Sequence, residues 1–206
     1  MPKAKITAMT RSVKFNNQKY LAPSLEEMGN LCFNLAKIIH AKKIQKFDRL
    51  IALAKGGLAW SRTLLDCLLI PELSSIQIRF YTHIGKAQNR PIIIQSLPID
   101  VSGENILIFD DVADSGETLK VAKEYLILCG AKTVTTATLF IKTWTKTRPD
   151  FYSGKTSSWI IFPHDTREMI NLLSKKWEKE RLTKKEIAIR LIKIGLPKDR
   201  VLYFLH

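Results

Sequence analysis

Apolar residues follow two rhythms along this chain. Short runs rich in branched and aromatic side chains, "RLIALA" (49–54), "IQIRFY" (76–81), "ILIFDD" (106–111) and "VTTATLFIK" (134–142), have the length and composition of buried strands. Between them, residues 25–43, 57–69 and 116–130 place apolar side chains at helical spacing. Strand–helix alternation predicts an α/β fold, a mainly parallel twisted sheet flanked by helices. Residues 82–91 and 143–158 are polar and marked by Gly and Pro, and both read as loops. The first follows a strand and suits a mobile flap.

After Pro163 the rhythm shortens. "TREMINLLSKKWEKER", "TKKEIAIRLIKIG" and "PKDRVLYFLH" predict three short helices. Thr183 with Glu186 forms a capping box, Gly195 is a natural stop, and Pro197 suits a first helical turn. The expected organisation is therefore one α/β domain over residues 1–164 and a C-terminal helical appendage over 165–206. From Thr166 onward eleven Lys and Arg face five Asp and Glu.

Composition narrows the function classes. The 206 residues hold three cysteines, Cys32, Cys67 and Cys129, with no C-x-x-C pair. That argues against a disulfide framework or a zinc site and for a reducing cytoplasm. The N-terminus has no apolar core of a signal peptide, and nowhere do about 18 apolar residues run together, so no membrane partner is expected. A net charge of +14 asks for an anionic partner, either nucleic acid or a phosphorylated small molecule. No RGG, zinc-finger or RNP pattern supports nucleic acid, which is the weaker choice.

The chemistry concentrates in "ILIFDDVADSGETL", residues 106–119. An apolar strand ends in adjacent carboxylates, Asp110 and Asp111, presented at the rim of the sheet. In open α/β sheets that rim is where ligands bind. Like charges this close favour a cation or a ring of hydroxyl donors as partner. The turn that follows, from Asp114 through Ser115, Gly116 and Glu117 to Thr118, gathers backbone N–H groups and two hydroxyls at a helix start, which is an anion site. Acids for hydroxyls and magnesium, beside amides for a phosphate, describe a receptor for a ribose 5-phosphate. Earlier in the chain "ALAKGGLAWS" (52–61) runs from strand through Lys55, Gly56 and Gly57 into a helix. Two glycines let the backbone approach a diphosphate, and the lysine and helix dipole oppose its charge. The spacing is not that of a Walker A loop.

"ILIFDDVADSGET" resembles the phosphoribosyl-diphosphate signature of type I phosphoribosyltransferases at each defining position. The resemblance implies that fold, with Asp110 and Asp111 on the ribose hydroxyls and residues 114–118 on the 5′-phosphate. It also implies Asp114 as the group beside N7 of a purine, and "KGG" as the diphosphate loop, whose Ala54–Lys55 peptide is often cis in the family. Tyr81 falls near an aromatic of the family's flap. "ATLFIK" and "WIIFPHD" are similar to the base-reading segments of xanthine–guanine-type enzymes. There Lys142 would donate to an exocyclic O6, Trp159 would stack on the ring, and Ile160 would read its edge through the backbone.

His164 and Asp165 stand where relatives often carry Trp-Glu, and as acceptors they suit a 6-amino group. With the helical C-terminus, which resembles crenarchaeal adenine phosphoribosyltransferases, this inclines the expectation toward adenine, giving AMP. Lys142 pulls toward a 6-oxopurine (guanine, hypoxanthine or xanthine). The expected activity is transfer of phosphoribose from phosphoribosyl diphosphate (PRPP) to a purine base, with Mg2+ carried by PRPP and held, if at all, by Asp110 or Asp111. By the same resemblance a homodimer is expected. The competing expectation, from the basic C-terminus, is a PRPP-sensing regulator that binds nucleic acid.

Overall fold

The computed structural model describes residues 12–43, 46–81 and 90–205. In chain order the strands and helices are β1 (Val13–Phe15), β2 (Gln18–Leu21), α1 (Leu25–Ala41), β3 (Arg49–Ala54), α2 (Leu58–Leu68), β4 (Glu72–Tyr81), β5 (Arg90–Gln95) and β6 (Asn105–Ala113). They continue with α3 (Glu117–Leu128), β7 (Thr133–Lys142), β8 (Phe151–Thr156), β9 (Trp159–Ile160), α4 (Thr166–Lys179), α5 (Lys184–Ile194) and α6 (Lys198–Phe204). The chain divides into two compact units, Met28–Thr156 and the residues up to Glu27 together with those from Ser157 onward. Among the described residues no helix is long and apolar enough to cross a membrane.

The larger unit carries a six-stranded sheet in the order β5-β4-β3-β6-β7-β8. All pairings are parallel except β4 with β5. The expected α/β class is thus the observed one. Central strands β3 and β6 are fully buried along their apolar stretches, as a sheet covered on both faces demands. Ile51, Ile106 and Ile108 pack there with Leu119, Ala122 and Leu126 of α3. From β3 the chain proceeds through α2 to β4 on one side; from β6 it proceeds through α3 to β7 on the other. The strand order therefore reverses between β3 and β6, and their carboxyl ends flank a switch-point crevice.

Two loop expectations need correction. Residues 143–158 contain β8, which adds to the sheet beside β7. Its sequence "FYSGKT" conceals it, because Ser, Gly and Lys are loop-forming in composition. Gly154 is nevertheless needed in the strand: a Cβ there would stand 3.0 Å from Phe140 Cδ1. Of the expected flap, residues 82–89 lie outside the described residues, while Arg90 and Pro91 already belong to β5. Proline is tolerated in such an edge strand. The three cysteines are free thiols, and burial pushes the Cys32 thiol up to about 12.

The smaller unit departs from the expected boundary at 164/165. Its three helices fall where the sequence placed them, with the Thr183–Glu186 capping box formed and Gly195 in the left-handed region at φ 119°. Pro197 is the N-cap of α6, one position before its first turn. The helices share their core with the N-terminal hairpin β1–β2, which β9 extends in parallel. Trp177 is the pivot: Phe15 and Tyr20 meet its ring edge-on at 5.9 and 6.1 Å, and the Arg190 guanidinium lies 5.5 Å from it. Three short helices expose too much apolar surface to close a core alone, so the N-terminus completes it. Replacing Trp177 by Ala should lower stability by about 3–5 kcal/mol, read as a reduced urea midpoint for loss of helical signal.

Candidate functional site

The crevice is built by two loops that leave adjacent parallel strands. Ala52 pairs with Phe109, so the loop after β3 and the end of β6 run side by side. The Ala54–Lys55 peptide is cis, as the resemblance implied. Lys55 is exposed, and the next two residues are glycines for a steric reason. A Cβ on Gly56 would stand 2.5 Å from Asp111 Oδ2, and one on Gly57 would stand 2.5 Å from the Phe109 carbonyl oxygen. The loop thus lies flush on the acidic strand end. Gly57 donates its N–H to Leu53 O at 2.9 Å and starts α2 with no side-chain cap, while Leu58 and Ala59 donate to the carbonyls of Lys55 and Gly56 at 3.1 and 3.4 Å.

Asp111 is buried at 6% exposure, against Gly56. Asp110 keeps some exposed surface and accepts the Asp111 N–H at 2.9 Å. Burial and then the neighbouring Asp111 charge hold the Asp110 carboxyl well above its ordinary value. Amides of Asp111 and Gly57 oppose that rise without cancelling it. The pair therefore sits under an electrostatic load that a cation or hydroxyl donors would relieve.

Beyond β6, Asp114 and Ser115 are exposed. Gly116 has φ 88° and starts α3 without a side-chain cap; a Cβ there would collide with the Thr147 carbonyl oxygen. Ser115 Oγ accepts the Glu117 N–H at 3.3 Å. The turn is held from behind by residues 143–147, which the sequence reading treated as loop. Lys146 and Thr147 donate their N–H groups to Ser115 O at 3.2 and 3.1 Å. The Thr145 hydroxyl lies 2.8 Å from Ala113 O and 2.7 Å from Asp114 O, and it accepts the Lys142 N–H at 2.9 Å. Thr147 Oγ1 donates to Glu117 Oε1 at 3.4 Å. Trp144 Nε1 donates to Asp114 Oδ1. The signal for this brace was present in "TWTKT": a tryptophan among hydroxyls directly after a strand end.

Lys142 is buried at 7% exposure, and burial lowers its pKa although the Asp114 charge works the other way. Its ammonium lies 5.6 Å from the Trp144 ring centroid. Tyr81 is the last residue of β4, and its side chain lies outside the described residues. Lys55, Gly56, Gly57, Asp110, Asp111, residues 114–118 and Lys142 are thus all in the larger unit, at the carboxyl ends of β3, β6 and β7. Trp159, Ile160 and His164 belong to the smaller unit. There Trp159 is 46% exposed on β9, and the His164 ring stacks on Phe162 at 5.3 Å.

A model of the phosphoribosyl transferase domain matches residues 24–169. The chain belongs to that family. It is 31% identical over 139 residues to the xanthine-guanine phosphoribosyltransferase of Gluconobacter oxydans (strain 621H), covering 64% of this chain and 78% of the relative. The crystal structure of a purine phosphoribosyltransferase from Pyrococcus horikoshii Ot3 superposes with a TM-score of 0.62 at 32% identity, covering 70% of this chain and 93% of that one. A Helicobacter pylori xanthine-guanine-hypoxanthine phosphoribosyltransferase shares the fold, with a TM-score of 0.64 at 24% identity over 75% and 99% of the two chains. Closeness to crenarchaeal adenine enzymes has no counterpart among these similarities.

Within the phosphoribosyltransferase frame Asp110 is a stability cost with a definite pH dependence. A carboxyl whose folded pKa is raised binds its proton in the fold where the unfolded chain has released it. Stability therefore falls as pH rises from the ordinary value of 3.8 through the raised one. Asp110→Asn should raise the thermal midpoint of the ligand-free protein at neutral pH. That gain should shrink as pH drops toward 3.8, as calorimetry across a pH series would record.

Proposed function

We propose that the protein transfers the 5-phosphoribosyl group of PRPP to a 6-oxopurine and releases diphosphate. The observation that carries this is the contact of the Asp111 carboxylate with the Gly56 backbone, which puts an acidic rim and an amide-rich glycine loop in one crevice. The relatives named for xanthine, guanine and purine support a purine acceptor. Lys142 supports the 6-oxo class, because an ammonium has only donors to offer and would face the donor N–H2 of adenine. The expectation of adenine accordingly gives way to guanine, hypoxanthine or xanthine.

In this reading Asp110 and Asp111 accept hydrogen bonds from the ribose hydroxyls. The 5′-phosphate is held by the amides of Ser115–Thr118 at the start of α3, with the hydroxyls of Ser115 and Thr118. Lys55 and the backbone of Gly56 and Gly57 receive the diphosphate, whose charge grows as the C1′–O bond breaks. Bond loss running ahead of bond making leaves positive charge on the ribose ring, as in glycoside chemistry. Asp114 accepts the purine N7–H, so that N9 presents its lone pair to C1′. Lys142 donates to O6.

Among the described residues no three His, Cys, Asp or Glu side chains cluster as a metal site. Two adjacent carboxylates still fit Mg2+, which commonly takes one or two protein carboxylates and completes its shell with substrate oxygens and water. Asp110 and Asp111 would be those ligands, and the ion would supply charge neutralisation for the departing diphosphate.

Steady-state assays with PRPP, Mg2+ and each of adenine, guanine, hypoxanthine and xanthine test the reading; turnover of adenine alone would refute the 6-oxo assignment. Asp114→Asn should lower kcat by about 10²–10⁴-fold with little change in the KM for PRPP. Equal losses in both would remove its catalytic role.

A further inference from the structure

The turn after β7 contains one side chain whose position is not accounted for by packing. Trp144 is 51% exposed, an unusual place for an indole unless its edge or face has a task. Its backbone is fixed, because Thr145 is buried with its hydroxyl on Ala113 O and Asp114 O, and Lys146 and Thr147 are tied to Ser115. The ring touches two charged groups at once: its N–H donates to Asp114 Oδ1, and its face lies 5.6 Å from Lys142 Nζ, within cation–π range.

We propose that Trp144 is a positioning residue that sets both polar contacts to the base. Its edge holds Asp114 Oδ1, leaving Oδ2 to accept the purine N7–H, and its face holds the Lys142 ammonium for the exocyclic oxygen. This rests on the function proposed above and adds a specificity determinant to it.

The chemistry of the three groups supports the assignment. An indole N–H is a donor with no acceptor capacity, so the carboxylate oxygen it meets is committed as an acceptor. A hydrogen bond to an ionised partner is stronger than a neutral one and restrains rotation of the carboxylate. Lys142 sits where burial works against its charge, and a π face is one of the few apolar surfaces that favour a cation. Because one rigid ring holds both, the separation between the acceptor Asp114 and the donor Lys142 is fixed. A 6-oxopurine presents the complement, a donor at N7–H and an acceptor at O6. A 6-aminopurine presents a donor to each, which leaves the ammonium opposed.

The two contacts separate by substitution. Trp144→Phe keeps the face and removes the N–H; Trp144→Leu removes both; Trp144→His keeps a ring N–H. Kinetics of the full-length variants with PRPP, guanine and adenine should show Trp144→Phe losing about ten-fold or more in kcat. Its KM for PRPP and its guanine-to-adenine ratio of kcat/KM should be unchanged, and Trp144→His should recover part of the kcat. Trp144→Leu should lose kcat similarly and also let the guanine-to-adenine ratio collapse. Wild-type kcat in Trp144→Phe, or an unchanged ratio in Trp144→Leu, would overturn the inference. So would a rise in the KM for PRPP alongside the fall in kcat, which marks general damage to the turn. A wild-type protein inactive on every purine is a separate result that overturns the proposed function, and this inference with it.

Discussion

Two carboxylates on consecutive residues at the end of β6, one pressed onto the glycine loop of the neighbouring strand, set the terms for the rest of the molecule. Burial and the neighbouring Asp111 charge both act against the charge of Asp110. The glycine loop meets the pair because β3 and β6 are paired in parallel: with Ala52 opposite Phe109, the residues after Ala54 pass the end of β6. Only a residue without a Cβ fits there, since one on Gly56 would stand 2.5 Å from Asp111 Oδ2. The reversal of strand order between β3 and β6 then opens the crevice in which α2 and α3 both begin. Sheet order, glycine placement and helix starts are one arrangement.

The opposite ends of the same strands show what ordinary stabilisation looks like in this fold. Arg49 at the start of β3 bonds Glu104 at 2.8 and 3.0 Å and reaches Glu72 at 3.4 Å, and its guanidinium is held above its usual pKa chiefly by the Glu104 hydrogen bond. Asp48 accepts from both the backbone and side chain of Asn105. Opposite charges meet there and satisfy one another. At the carboxyl ends like charges are adjacent instead, and a buried lysine stands near. The same six strands thus separate a satisfied rim from a loaded one, which is the usual signature of a site rather than of packing.

What could be read from the sequence follows from how local each feature is. Strands β3, β6 and β7 are long apolar runs, and the motif at residues 106–118 carries its own turn chemistry, so both were visible without partners. The capping box at Thr183 and the stop at Gly195 are likewise complete within a few residues. β8 was not visible, because "FYSGKT" is a strand only by pairing with β7 and by giving Phe140 the space of a glycine. Nor was the extent of the smaller unit, since nothing in "VKFNNQKYL" announces that Phe15 and Tyr20 will meet Trp177 across some 160 residues of chain. Trp144 illustrates the same limit within the site. Its neighbours Lys142 and Asp114 were singled out, but a contact between a loop tryptophan and a carboxylate thirty residues earlier exists only once β6 and β7 are adjacent.

The distribution of charge in the larger unit matches the course of the proposed reaction. An exposed lysine stands on the glycine loop, where negative charge would accumulate on the leaving diphosphate. In that reaction the acidic pair would stand beneath the ribose, where positive charge would develop as the C1′–O bond loosens. A third carboxylate, held by an indole, would meet the base, which must give up a proton as it gains a bond. Asp110 is held by the Asp111 amide and Asp114 by the Trp144 indole before any ligand arrives, and preorganisation of this kind is the main source of electrostatic catalysis. Burial acts against charge at both Asp110 and Lys142, the pattern of groups placed for a ligand's charge.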